Sequence, residues 1–349
     1  MNQTLNNKSE KLLEFIKVHP PLSSKEIHEQ FEEALSYATI KRLLQNLISE
    51  NLIIAFGQGR ATRYKLSLAY ELLYPIDTSD YFQKEIDDRK IKDQFNHRLI
   101  TGILDNVSVF TSEELEHLGD LQKRYAENRA KLTKAAYAKE LERWAIDLSW
   151  KSSQIEGNTY SLLETERLLK DKETAAGKTK DEAVMLLNHK EALDFIIANP
   201  SYIHPLTVSR IEDIHSILIK ELGVDRNIRK HKVGISGTNY KPIDNEFQIK
   251  EALEDMCTVI NKQDSPFAKA LLALALISYI QPFVDGNKRT VRIISNAILI
   301  NNNYCPVSFR TIDPIEYKKA MLVFYEQNNI SAFKKIFINQ FEFAVNTYF

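Results

Sequence analysis

The segment Gln281-Pro282-Phe283-Val284-Asp285-Gly286-Asn287-Lys288-Arg289-Thr290-Val291-Arg292 sets two arginines, a lysine and a carboxylate between two apolar runs. The first run, Ala270 to Ile280, ends at Gln281-Pro282. Proline disfavours helix in the residue before it, so the chain should turn there. Asp285-Gly286-Asn287 has the composition of a loop. A second helical period follows, with Val291, Ile293, Ile294, Ala297, Ile298 and Leu299. The pattern predicts a helix–loop–helix whose loop ends at a helix N-terminus. Such an end offers unpaired N–H groups and a partial positive charge, which suits an anion. Arg289 and Arg292 are spaced i, i+3 and share a face beside that end. Two guanidiniums next to free amides can clamp a polyphosphate. Asp285 adds a hard oxygen ligand of the kind that phosphate-bound Mg²⁺ takes. Asp-Gly-Asn-Lys alone would be an ordinary loop and the arginines a solvated face; the complete segment at a loop–helix boundary favours the phosphate site.

The twelve residues resemble the signature of the Fic family, HPFx(D/E)GN(G/K)RxxR. Its members handle nucleotides and mostly transfer AMP from ATP to a protein hydroxyl. The resemblance implies ATP and Mg²⁺ as cofactors, with Asp285 on the metal. It implies a phosphate cradle of Gly286, Asn287, Lys288 and Arg289, with Arg292 on the γ-phosphate, and a catalytic set of Gln281, Asp285, Asn287 and Arg289. The departure is Gln281, which stands where the family has its catalytic histidine. A carboxamide can orient a hydroxyl but has no useful proton affinity near neutral pH. His231 is the one histidine expected near enough to act in its place. Lys288 is a variant that also occurs in the family, including its phosphotransferase branch.

Two further segments fit the same resemblance. Ser152-Ser153-Gln154-Ile155-Glu156-Gly157 matches the inhibitory pattern (S/T)xxxE(G/N). It implies that Ser152, Glu156 and Gly157 belong to an inhibitory helix end whose carboxylate engages Arg292 where the γ-phosphate would sit. By itself the pattern would be a helix C-terminus at Gly157 with a surface acid before it. Residues 229–242, Arg229 to Pro242, alternate briefly around glycines and read as a short hairpin turning at Ser236-Gly237-Thr238-Asn239. The resemblance makes this the flap that would hold a target peptide by strand-like pairing, with Val233, Ile235 and Gly237 as its contact residues.

Three helices and a hairpin are predicted upstream. Leu12, Leu13, Phe15 and Ile16 mark the first helix, which stops at Pro20-Pro21; Ser23 or Ser24 caps the second. Ser36 begins a third, with Ile40, Leu43, Leu44, Leu47 and Ile48 facing a core. Leu52–Phe56 and Arg63–Leu66 flank Gly57-Gln58-Gly59-Arg60 as a β-hairpin. The arrangement resembles a winged helix-turn-helix. Lys41, Arg42, Gln45 and Asn46, with Arg60 and Arg63 on the wing, could touch DNA. Glu26, Glu29, Glu32 and Glu33 keep the unit weakly basic, which leaves protein docking equally open.

The expected fold class is mainly α: a Fic-type helical domain with a small β-hairpin flap, plus an N-terminal winged-helix domain. Expected boundaries are 1–70 for the winged helix, 71–93 for a linker region and 94–349 for the Fic domain. That domain contains the inhibitory motif 152–157, the flap 229–242 and the motif loop 281–292. The 349 residues suffice for two domains. A net charge of −1 predicts neither nucleic-acid nor membrane binding from bulk charge. Two cysteines form no framework and read as buried thiols. The longest apolar run is too short to span a bilayer, and no signal peptide is apparent, so a soluble cytoplasmic protein is expected. The expected function is a nucleotide-binding protein resembling protein adenylyltransferases. It would be self-inhibited by Glu156, with transfer weakened or altered by Gln281, and would act on an unidentified protein target. The alternative is a non-catalytic nucleotide sensor acting through the winged helix on DNA or a protein. The resemblance also allows a homodimer.

Overall fold

In the computed structural model the described residues are 7–349. The chain forms two compact units, Met1–Pro75 and Ile76–Phe349.

The first unit packs helices α1 (Asn7–Val18), α2 (Ser24–Gln30) and α3 (Tyr37–Ser49) beside strands β1 (Ile53–Phe56) and β2 (Arg63–Leu66), and closes with α4 (Leu68–Leu73). Ser23 is the cap of α2, in a reciprocal capping box with Glu26, and Ser36 caps α3. β1 and β2 pair antiparallel with Ile53 opposite Leu66, and Leu22 adds a bridge to Tyr64. Leu12, Leu13, Ile27, Ile40, Leu44 and Leu47 fill one core. Lys41, Arg42, Gln45 and Asn46 lie on the exposed face of α3. Arg63 donates to Glu26 Oε2 at 2.8 Å and to Pro21 O at 3.2 Å. Of the two wing arginines, Arg60 is exposed, whereas Arg63 is engaged while its side chain stays 43% accessible.

The second unit contains α5 (Thr78–Tyr81), a π-helical turn (Leu99–Leu104), and α6 (Ser112–Lys131), α7 (Lys134–Ile155), α8 (Leu162–Asp171), α9 (Lys180–Ala198) and α10 (Val208–Leu218). After the flap segment come α11 (Glu246–Lys262), α12 (Pro266–Ile280), α13 (Asn287–Asn301), α14 (Pro314–Gln327) and α15 (Ser331–Tyr348). α12 and α13 form a central antiparallel pair, flanked by α10, α11, α9 and α7. Both are buried almost all round, as helices at the centre of a helical domain must be. Among the described residues no helix is long and apolar enough to cross a membrane.

Two segments behave differently from the sequence expectation. From Ile76 onward the region expected as linker belongs to the second unit, and it braces that unit. Arg89 is buried, with its guanidinium 3.2 Å from Glu326 of α14. Lys92 N–H donates to Glu326 O, and Asn96 N–H to the Tyr279 hydroxyl. The flap, residues 229–242, does not form the expected hairpin: β1 and β2 are the one strand pair among the described residues. The reason lies in Arg229. Its buried guanidinium donates to His231 O in the flap and to Ile243 O just past it. Those carbonyls are thereby satisfied without cross-strand pairing. The second arm pairs instead with upstream chain, through Lys241 N–H to Asp93 O at 2.8 Å.

Candidate nucleotide site at the α12–α13 loop

α12 ends where Pro282 requires. Gln281 is its C-cap in the left-handed conformation (φ 52°, ψ 59°), and its N–H donates to Ile277 O. Asn287 then staples the loop from inside. Its Oδ1 accepts from Phe283 N–H at 2.9 Å, and its Nδ2 donates to Phe283 O at 2.8 Å and to Gln281 Oε1 at 3.1 Å. Gln281 Nε2 donates to Ser278 O at 2.7 Å. Both ends of the Gln281 side chain are thus engaged internally, and the residue is 8% exposed. Arg229 Nε donates to Gln281 O at 2.6 Å and fixes the backbone from the flap side.

Gly286 is the N-cap of α13 at φ 81° and offers no side-chain cap. A Cβ there would lie 3.1 Å from Ile219 and 3.3 Å from the His215 ring, so conformation and space both select glycine. The first-turn N–H groups of α13 are consequently free of any side-chain cap, the condition for holding an anion. Arg289 and Arg292 project from the same helix and are 1% and 0% exposed. Arg289 spans from Asp285 Oδ2 (3.0 Å) to Leu218 O (3.3 Å). Arg292 Nε donates to Ser152 Oγ at 2.9 Å, Nη2 donates to Ser152 O at 3.0 Å, and the guanidinium lies 5.5 Å from the centre of the Tyr317 ring. Arg289 Nε and Arg292 Nη1 are buried without a hydrogen-bond partner. Orphaned guanidinium nitrogens beside an uncapped helix end fit a polyphosphate.

α7 delivers Ser152 and Glu156 to this face. Glu156 is its C-cap and Gly157 follows at φ 95°. Glu156 Oε1 lies 2.9 Å from Arg292 Nη2, and Oε2 lies 3.3 Å from Lys288 Nζ. Burial works to raise the pKa of this carboxyl, but Arg292 and Lys288 outweigh it and hold the group below the usual carboxylate range. Asp285 is the exposed member, with 61% of its side chain accessible. Among the described residues no cluster of three or more His, Cys, Asp or Glu could hold a metal. A divalent ion at Asp285 would therefore have to be shared with phosphate oxygens, as Mg²⁺ commonly is.

The structure thus brings together Ser152, Glu156, Lys288 and Arg292, and separately Gln281 with Asn287 and Asp285 with Arg289. His231 is exposed; its carbonyl, not its ring, joins the network through Arg229. Val233, Ile235 and Gly237 are half-buried along the flap. Sequence reasoning missed His215 on α10. Its ring stacks on Phe283 (3.6 Å, 3°), with Nε2 2.9 Å from Asp285 O and Nδ1 3.2 Å from Arg226 O. Burial holds its pKa below the usual imidazole range despite those carbonyls. The ring supports the loop and does not point at Gln281. Its spacing signal is nil, because the contact spans 70 residues of chain.

The Fic/DOC family model matches residues 205–299, and a penicillinase repressor model matches residues 6–120. The chain is 31% identical over 172 residues to "Protein adenylyltransferase Fic" of Nematostella vectensis, an alignment covering 48% of this chain and 40% of that protein. It is 27% identical over 180 residues to "Protein adenylyltransferase fic-1" of Caenorhabditis briggsae, covering 48% and 34%. The chain thus spans less than half the length of these curated relatives. Fic-1 from C. elegans (residues 134–508) superposes with a TM-score of 0.60 at 21% identity, covering 68% of this chain and 72% of that one. A Fic family protein from Desulfovibrio desulfuricans gives 0.56 at 19% identity, covering 68% and 74%. At these identities the superpositions speak to fold. With the loop, its helices and the sequence matches in agreement, the chain carries a Fic/DOC domain at residues 205–299 and, before it, a winged-helix domain of the penicillinase-repressor type matched over residues 6–120.

Proposed function

We propose that the second unit binds a nucleoside triphosphate with Mg²⁺ at the α12–α13 loop, as an adenylyltransferase-like site held shut by Glu156. The observation that carries this reading is the bidentate placement of Glu156 on Arg292 and Lys288. A carboxylate on phosphate-reading donors competes with phosphate for them. Asp285 would hold the metal, whose bound chemistry is to neutralise phosphate charge. The α13 amides from Asn287 onward, Arg289 and Arg292 would hold the phosphates, and Gly286 would allow their close approach. The flap, through Val233, Ile235 and Gly237, would place the target's hydroxyl.

At the position of a general base the chain offers the Gln281 carboxamide, turned toward Ser278 O and Asn287. An amide accepts no proton near neutral pH, and loss of a general base costs about 10²–10⁴-fold. The wild-type protein is therefore expected to bind nucleotide and transfer it weakly. That same observation supports a second reading, a nucleotide-responsive regulator acting through the winged helix. Calorimetric titration with MgATP tests the first. Glu156→Gly should bind about tenfold or more tightly than wild type, because Arg292 loses a charge-assisted partner worth roughly 1.5–3 kcal/mol. Unchanged affinity would remove the competitor role of Glu156.

A further inference from the structure

The geometry points to Lys288 as the movable half of the lock: its side chain holds Glu156 in the closed site and turns to the polyphosphate when the site opens. This rests on the reading of Glu156 as the nucleotide's competitor. The two oxygens of Glu156 are divided between two cations of unlike freedom. Arg292, which takes Oε1, is fully buried and tied twice to Ser152, so it cannot follow the carboxylate. Lys288, which takes Oε2 at 3.3 Å, keeps 31% of its side chain exposed and sits on a flexible stem in the first turn of α13. Glu156 itself is poorly placed without them. It caps the C-terminus of α7, the negative end of that helix dipole, where a carboxylate is disfavoured. The cations opposite supply what the helix end opposes. An ammonium has three N–H donors, but a carboxylate and a phosphate gathered on it would repel each other at close range, so phosphate contact by Lys288 weakens its hold on Glu156. Lys288 thereby couples opening to nucleotide charge. A surface lysine resting beside any nearby acid would show no such coupling.

The test is a double-mutant cycle on MgATP affinity by calorimetry, using wild type, Glu156→Gly, Lys288→Ala and the combined variant, with Lys288→Arg as a charge-preserving control and thermal melts confirming folding. Without Glu156, Lys288→Ala should weaken binding by about three- to tenfold, the loss of one phosphate contact. With Glu156 present the same substitution should weaken binding by at least about threefold less, or strengthen it, because the lock loosens too. Lys288→Arg should keep the coupling. Equal effects in the two backgrounds would overturn the assignment and leave Glu156 as competitor intact. No tightening by Glu156→Gly would instead sink the competitor reading, and the role of Lys288 with it.

Discussion

Gln281 is held by four contacts, two through its side chain and two through its backbone. Its N–H and O are backbone groups, bound to Ile277 O and Arg229, so replacing the side chain leaves them in place. Label transfer from α-labelled ATP is the direct measurement. With Glu156→Gly alone, transfer should stay near background; adding Gln281→His should raise it about 10²–10⁴-fold, the usual worth of a general base. Strong labelling by the single variant would mean that another group takes the proton. A second residue-scale prediction concerns pH. Burial, with Arg292 and Arg289 nearby, pushes the His189 pKa well below its ordinary 6.5, and burial lowers that of His215. Burial thus disfavours the protonated form of both in the fold, while the unfolded chain protonates them below about pH 6.5. Their contribution to stability is present above that pH and is lost as pH falls below it. Denaturant unfolding of the second unit from pH 8 to 5 should show this decline. A flat profile across that window would contradict the lowered pKa values. Proline and glycine made the turn at Gln281 and the helix start at Gly286 legible in the sequence, because each acts on backbone within a few residues; Glu156 was legible through the resemblance alone, since its partner Arg292 lies 136 residues away. His215, His189 and Arg229 were not legible, since their partners lie on helices distant in sequence and burial decides their chemistry.

The element that the sequence least betrayed is the brace running from Tyr81 to Asn96. Polar and short of periodicity, it reads as linker, yet it ties the flap to α14. Arg89 Nη2 donates to Gly237 O at 2.7 Å while Nη1 meets Glu326, and Tyr81 OH donates to Glu326 Oε2 at 2.6 Å. Asn239 donates to Asp87, and Lys241 N–H to Asp93 O. Removing one partner of a buried ion pair costs about 3–5 kcal/mol, whereas replacing both with apolar groups of similar size is often neutral. Arg89→Met should therefore lower the melting temperature, and adding Glu326→Leu should restore much of it. Backbone amides at 237–241 should exchange faster with solvent in both variants, because neither returns the bond to Gly237 O. Protection at 237–241 unchanged in either variant would show that the flap does not depend on the brace. The long helices α6, α7, α9 and α11 each begin at a side-chain cap, Thr111, Thr133, Thr179 and Asn245, a signal that is local in sequence.

At the scale of the whole molecule, a winged helix and a Fic domain occupy one chain. The DNA question turns on which basic groups remain available. Lys41 and Arg42 are exposed on α3, whereas Arg63 is engaged by Glu26 and Pro21. If the first unit binds DNA, Lys41→Ala with Arg42→Ala should weaken a gel shift severalfold and flatten its salt dependence by roughly two phosphate contacts. Arg63→Ala should change it little. Equal losses from all three would show that Arg63 leaves Glu26 to bind. Wild type that shifts no DNA at low salt would favour a protein partner for this unit.

The left-handed backbone at Gln281 bears on heredity. Glutamine and histidine codons differ at the third base alone, so a point substitution converts one residue to the other. Position 281 already has its strained φ, and Arg229, Asn287 and Gly286 keep the loop shaped around it. A histidine placed at 281 would therefore meet a loop already shaped around that position. Under the proposed reading, a population carrying this gene stands one mutational step from a restored general base. Selection for labelling activity in a Glu156→Gly background should recover that codon change early.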